Sequence, residues 1–219
     1  MTGASNDRLA KEVARSLLQI NAIKLNTEQS FTWASGLKAP IYCDNRRILS
    51  YPDLRRKLAS DLAQKATALF SGLELIAGVA TGAIAMGVLV AEELNLPFVY
   101  VRSSPKEHGL GSRIEGHASK GMKTLVIEDL VSTAGSSLSA VRALRADGLD
   151  VLGMLAIFSY GLDVARRALH EARCPFYSLS NLDALLVSLK EQGGEITEHV
   201  PVLCDWQKDP IKWSASAGQ

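Results

Sequence analysis

Glu128 and Asp129 are adjacent carboxylates at the end of the apolar run TLVI at residues 124–127, and after Leu130 and Val131 comes the small-residue stretch Ser132-Thr133-Ala134-Gly135-Ser136. A short apolar run of this kind reads as a buried strand. A carboxylate pair abutting such a strand is costly to hold without a ligand or partner. Two neighbouring carboxylates can accept hydrogen bonds from two vicinal hydroxyls, as a ribose diol offers. Small side chains at 132–136 let successive backbone N–H groups wrap an anion, and a helix starting near Ser136 adds the positive end of its dipole. Diol on the acids and phosphate on the loop describe a ribose 5-phosphate. The plain alternative is a turn and helix cap beside solvated acids, and the cost of the acid pair weighs against it.

Two further loops could contribute. Residues 102–116, RSSPKEHGLGSRIEG, bring together Arg102, Lys106, His108 and Arg113 with three glycines. Those cations could neutralise a polyphosphate, and the glycines would let the loop close as a lid. Taken alone, such a loop is as readily an exposed connection. Its Gly109-x-Gly111 fragment lacks the third glycine of a dinucleotide fingerprint and does not open a helix, and no Walker lysine motif occurs. Residues 78–83, GVATGA, have side chains small enough for close anion approach, and serve equally as a tight turn. Lys24 could reach a site from the N-terminal segment, although a lone lysine is ordinarily a surface group.

Composition sets the frame that must hold these loops. The chain has 219 residues, 47% hydrophobic and 21% charged, with a formal net charge of +1. A large core is expected, and no global field favours nucleic acid or membrane, so an anion must be held by local charge. Three scattered cysteines, Cys43, Cys174 and Cys204, argue against a disulfide framework and against structural zinc. The charged N-terminal stretch does not resemble a signal peptide, and the longest apolar run is too short to span a bilayer, so a soluble cytoplasmic protein is expected.

Residues 6–23 carry Leu9, Val13, Leu17 and Ile20 at helical spacing, and FTWASGLKAPIYCD then reads as a hairpin. Ser50, Pro52 and Asp53 predict a capped helix start, with Leu54, Leu58 and Leu62 as its buried stripe. From residue 73 onward strands and helices alternate to about residue 194. Continuous apolar strands in such a series predict a doubly wound α/β fold with a mainly parallel central sheet. The carboxyl ends of those strands are where ligands bind, which is where the loops above lie.

The run VIEDLVSTAGSS resembles the phosphoribosyl-pyrophosphate signature of type I phosphoribosyltransferases. Around it, FTWASGLKAPIYCDNR is similar to the substrate segment of the orotate phosphoribosyltransferases, and VRSSPKEHGLGSRIEG to their catalytic loop. With GVATGA, these blocks cover most of the chain. The resemblance implies transfer of a phosphoribosyl group from phosphoribosyl pyrophosphate to orotate, with Mg²⁺ bound mainly through that substrate and no direct protein ligands. It implies a single domain over 1–219, whose core spans about 55–180 under a small N-terminal hood made mainly of 1–48 with C-terminal elements. It also implies a homodimer whose lid serves the partner's site, small-molecule substrates, and no nucleic-acid or membrane partner.

By position, the resemblance assigns Arg102, Lys106 and His108 to catalysis and the pyrophosphate. Glu128, Asp129, Leu130, Val131, Ser132, Thr133, Ala134, Gly135 and Ser136 take the ribose 5-phosphate, while Ser132, Lys24, Tyr42 and Cys43 line the orotate site. Three departures from the pattern stand out. Ser103 replaces a common second lysine, Ala134 replaces a common glycine, and no arginine is evident near Tyr160 to hold the orotate carboxylate.

Overall fold

The computed structural model describes residues 3–27, 29–33, 36–104 and 113–216. Its centre is a six-stranded sheet built from β5 (Leu75–Val79), β6 (Phe98–Val101), β7 (Ile114–Glu115), β8 (Lys123–Val131), β9 (Asp150–Ser159) and β10 (Phe176–Asn181). The spatial order is β10-β9-β8-β5-β6-β7. All neighbours are parallel except the β6–β7 pair at one edge. Strand order runs one way from β5 to β6 and the other way from β8 to β10. The carboxyl ends of β5 and β8 therefore form the switch point where a crevice opens.

Helices cover both faces, as the continuous apolar strands require. On one side lie α2 (Pro52–Leu69), α3 (Ile84–Leu94) and α6 (Leu182–Gln192), and their core includes Leu58, Leu62, Met86, Leu185 and Leu189. On the other lie α4 (Gly135–Ala146) and α5 (Asp163–Glu171), burying Leu138, Val141, Leu144 and Leu169 against Val126, Met154 and Ala156. Each such fully buried aliphatic side chain contributes about 1.5–3 kcal/mol relative to exposure. Leu58 and Leu62 are wholly buried, and Leu54 packs at the margin.

The N-terminal third differs from a single hairpin. Helix α1 (Gly3–Gln19) leads to β1 (Ile23–Leu25), which pairs antiparallel with β4 (Ile41–Cys43), while β2 (Phe31–Thr32) pairs with β3 (Lys38–Ala39). Thus FTWASGLKAPIYCD forms the small β2–β3 ribbon and then returns to β1. Ser50 does not cap α2. It ends a 3₁₀ turn, Asn45–Ser50, and Tyr51 occupies the N-cap with no side-chain cap bond, leaving Pro52 to open the helix.

The C-terminal helices α7 (His199–Lys208) and α8 (Pro210–Ser216) fold back on this region. Ser214 Oγ accepts from the Lys38 backbone N–H at 2.8 Å. Trp33 stacks on Tyr160 with ring centroids 4.8 Å apart, and Trp206 of α7 meets both edge-on. Among the described residues, no helix is long and apolar enough to cross a membrane.

Candidate active site

Strand β8 continues through the acid pair rather than ending before it. Glu128 turns inward and is buried. Its Oε2 accepts from Ser137 Oγ at 2.7 Å, and its Oε1 accepts from the Asp129 N–H at 3.0 Å. Burial, and then the charge of Asp129, pushes the Glu128 carboxyl well above the ordinary range. Asp129 is also raised, chiefly by burial, while a hydrogen bond from Glu128 opposes the shift. Both carboxyls thus hold their protons more tightly than free acids do, as expected when two close, buried carboxyls cannot both ionise cheaply.

The loop after β5 closes against this acid. A Cβ built on Gly82 would lie 2.6 Å from Asp129 Cγ, so a side chain there would displace the carboxylate. The neighbouring Ala80–Thr81 peptide is cis. Beyond β8, Ser132 and Thr133 are half-buried and lead to Ala134, which caps α4 with φ +65°. Gly135 and Ser136 are exposed at the first turn of that helix, where free N–H groups and the dipole favour an anion.

The β1–β4 pair reaches the same place from the opposite side. Asn45 is buried, and its Nδ2 donates to the Asp129 carbonyl oxygen at 2.6 Å. Its Oδ1 accepts from Cys43 Sγ at 3.2 Å. Cys43 is buried, and burial pushes its thiol well up, so it acts as a neutral donor. Asn45 therefore joins the N-terminal segment to the acid strand through one amide.

At the lid's base, the Arg102 N–H donates to the Arg113 carbonyl at 2.8 Å. Arg113 Nε donates to the Arg102 carbonyl at 2.9 Å, and its Nη1 to Ser139 Oγ at 3.0 Å. A cavity of about 90 Å³ lies between this base and α4, bordered by Ala80, Arg102 and Ser136. Arg102 also approaches Glu115, at 3.5 Å.

Known proteins share this arrangement. The phosphoribosyl transferase domain family matches residues 51–176. The orotate phosphoribosyltransferase of Phocaeicola vulgatus is 54% identical over 207 residues, covering 94% of this chain and 98% of that one. The chain belongs to the orotate phosphoribosyltransferases. The family's enzyme from Bacteroides thetaiotaomicron is 50% identical over the same share of each chain. A crystal structure of orotate phosphoribosyltransferase from Aeropyrum pernix superposes with a TM-score of 0.71 at 28% identity, covering 83% of this chain and 99% of that chain.

The family resemblance and the geometry can be set side by side, residue by residue. Glu128, Asp129 and the 132–136 loop gather at the switch point with Gly82, and Arg102 borders the same end of the sheet through its cavity with Ser136. Cys43 is linked to Asp129 through Asn45. Lys24 and Tyr42 are cross-strand partners on the exposed side of β1–β4, and Tyr42 contacts Phe31 at 5.7 Å between ring centroids. Lys24 also lines a cleft of about 740 Å³ shared with Phe31 and His199. Lys106 and His108 lie outside the described residues.

Arg113 has Nε and Nη1 engaged with Arg102 and Ser139. An arginine does stand near Tyr160: Arg166 Nε donates to the Gly161 carbonyl at 3.0 Å. Gly82 is read from the sequence only as part of the small-residue loop 78–83, and Asn45 not at all. The buried Asn45 had no periodic signal, and only the fold shows what Gly82 must make room for.

Proposed function

We propose that the chain is a cytoplasmic enzyme of pyrimidine nucleotide synthesis that transfers the 5-phosphoribosyl group from phosphoribosyl pyrophosphate to orotate, releasing orotidine monophosphate and pyrophosphate. The observation that carries this reading is the convergence of Asp129, the Gly82 loop and the 132–136 loop at the switch point of the sheet. It is supported by relatives at 50% identity or above that span nearly the whole chain.

Breaking the bond between C1′ and the pyrophosphate oxygen leaves positive charge on the ribose and negative charge on the leaving group. Asp129, held against Gly82 and through its own backbone by Asn45, orients the ribose hydroxyls and favours the cationic ring. The N–H groups at 132–136 receive the 5-phosphate. Arg102, together with Lys106 and His108 from the lid, stabilises the departing pyrophosphate. Closure of that lid excludes water from a cation that would otherwise hydrolyse. Mg²⁺ would be held mainly through the phosphates of the substrate; among the described residues no cluster of three or more ligand side chains is found. When bound, the ion would neutralise the pyrophosphate.

The purified protein should deplete orotate, followed by its ultraviolet absorbance, when phosphoribosyl pyrophosphate and Mg²⁺ are both supplied and not when either is omitted. Turnover of a purine base with no loss of orotate would sink the assignment. The working unit in this proposal is a homodimer in which each lid serves the partner's site. Mixing a Lys106→Ala chain with an Asp129→Ala chain should restore part of the activity after subunit exchange; exchange without recovery would refute the sharing.

A further inference from the structure

Orotate differs from uracil by a planar carboxylate, so an enzyme selecting it needs a cation at the base end of its pocket. Arg47 Nε donates to the Ile20 carbonyl and Arg55 Nη1 to the Leu49 carbonyl, at 2.9 and 2.7 Å. Arg113 and Arg166 hold backbone carbonyls at the lid base and at Gly161. Arg46 turns instead to a carboxylate of its own turn. Its Nε donates to Asp44 Oδ1 at 2.6 Å and the side chain is 60% exposed, and, as for Arg47, Nη1 and Nη2 make no hydrogen bond among the described residues.

The neighbours of Arg46 place it at the base end. Residues 44–46 are the entry to the 3₁₀ turn, and each has one task. Asp44 caps the turn by accepting from the Arg46 N–H at 3.3 Å and from its Nε, so the guanidinium leaves the backbone in one direction. Asn45 fixes the turn on Asp129. Tyr42, just before, supplies an exposed aromatic ring braced on Phe31. The field of Arg46 reaches both Tyr42 and Asp129. A base joined to a ribose held at Asp129 is adjacent to that acid, and so is Arg46, one residue past the tether.

We propose that Arg46 is the specificity-determining residue that binds the orotate carboxylate, using the two outer nitrogens of its guanidinium in a paired contact. The proposal rests on the reaction proposed above. A planar guanidinium matches a carboxylate with two parallel hydrogen bonds, which a lysine cannot reproduce. The exposed pair with Asp44 adds little stability of its own, and its effect is to aim the group.

The test is steady-state kinetics of the wild type, Arg46→Gln, Arg46→Lys and Arg166→Gln, with thermal unfolding to confirm the fold. Arg46→Gln should raise the KM for orotate about 10- to 100-fold, the loss expected of a charge-assisted pair, and leave the KM for phosphoribosyl pyrophosphate within about twofold. Arg46→Lys should recover part of the loss. Competition with orotamide, which lacks the carboxylate charge, should favour orotate strongly in the wild type and weakly in Arg46→Gln. An unchanged orotate KM in a folded Arg46→Gln overturns the assignment. So does an equal rise in both KM values, or a large orotate effect confined to Arg166→Gln. A wild type inert toward orotate would instead overturn the proposed reaction, and with it any role for Arg46 in it.

Discussion

The carboxyl end of β8 and the turn at residues 44–46 meet at the site and are built in opposite ways. At β8, both oxygens of Glu128 are engaged within the chain, and Asp129 is wedged against Gly82. At the turn, the one buried side chain, Asn45, serves as a tether, and the neighbouring Arg46 presents an unengaged guanidinium edge. If the acids take the ribose as proposed, that side is set before any ligand arrives, as transition-state stabilisation requires. In the same proposal the turn supplies the cation for the base.

That contrast can be broken first at Gly82. Gly82→Ala should shift the Asp129 carboxylate and lower kcat about 100-fold, the scale of a misplacement near 1 Å. Stability should fall by no more than about 3 kcal/mol, as for a small overpacking. Kinetics beside a thermal melt would check this, and wild-type kcat would show that the close approach has no bearing on the acid.

Cutting the tether tests whether the two sides are coupled. Asn45→Ala leaves the Asp129 carbonyl and the Cys43 thiol without partners, and should cost about 1–3 kcal/mol of stability. The KM for orotate should rise in the same variant. Denaturant unfolding and substrate titration would reveal whether either change is missing.

The acid side alone can be sharpened through pH. Glu128 holds its proton above the ordinary carboxylate range because it is buried beside Asp129. The folded chain therefore keeps a proton that the unfolded chain releases. This contribution to stability is full below the unfolded value and is lost as pH rises through the folded one. Glu128→Gln copies the protonated form, so its stability should fall less than the wild type's between pH 5 and pH 8, measured by urea unfolding. Parallel curves for the two proteins would contradict a protonated Glu128.

The smallest effect is expected at Ala134, whose φ of +65° is strained for any residue with a Cβ. Ala134→Gly should stabilise the folded backbone by about 1 kcal/mol, offset in part by greater freedom in the unfolded chain. A small rise in melting temperature, with kcat nearly unchanged, is the outcome to look for.

How much of this could be read beforehand differs between the two regions. The β8 segment announces itself, because three apolar residues (125–127), two acids, two more apolar residues and five small residues follow one another in the chain. The alternation of strands and helices likewise gives the parallel sheet and the crevice at its carboxyl ends. At the turn, the grouping is made in three dimensions. Nothing local in CDNRR says that Asn45 reaches a carbonyl 84 residues away. The pairing of β4 with β1 was hidden for the same reason, since short strands with mixed patterns specify register weakly. Arg113 is a similar case: nothing local predicts its hydrogen bonds to Arg102 and Ser139.

The aromatic contact among Trp33, Tyr160 and Trp206 has a bearing on biosynthesis of the chain itself. Ribosomes deliver residues 23–50 early, and the parallel sheet can assemble as its strands emerge. Yet Trp33 finds its last aromatic neighbour on α7, and Lys38 its hydroxyl partner on α8, 176 residues further along the chain. The segment bearing Tyr42 and Arg46 is therefore made well before the helices that lock it, so a chain cut shortly before residue 199 would leave a folded sheet with this segment unlocked.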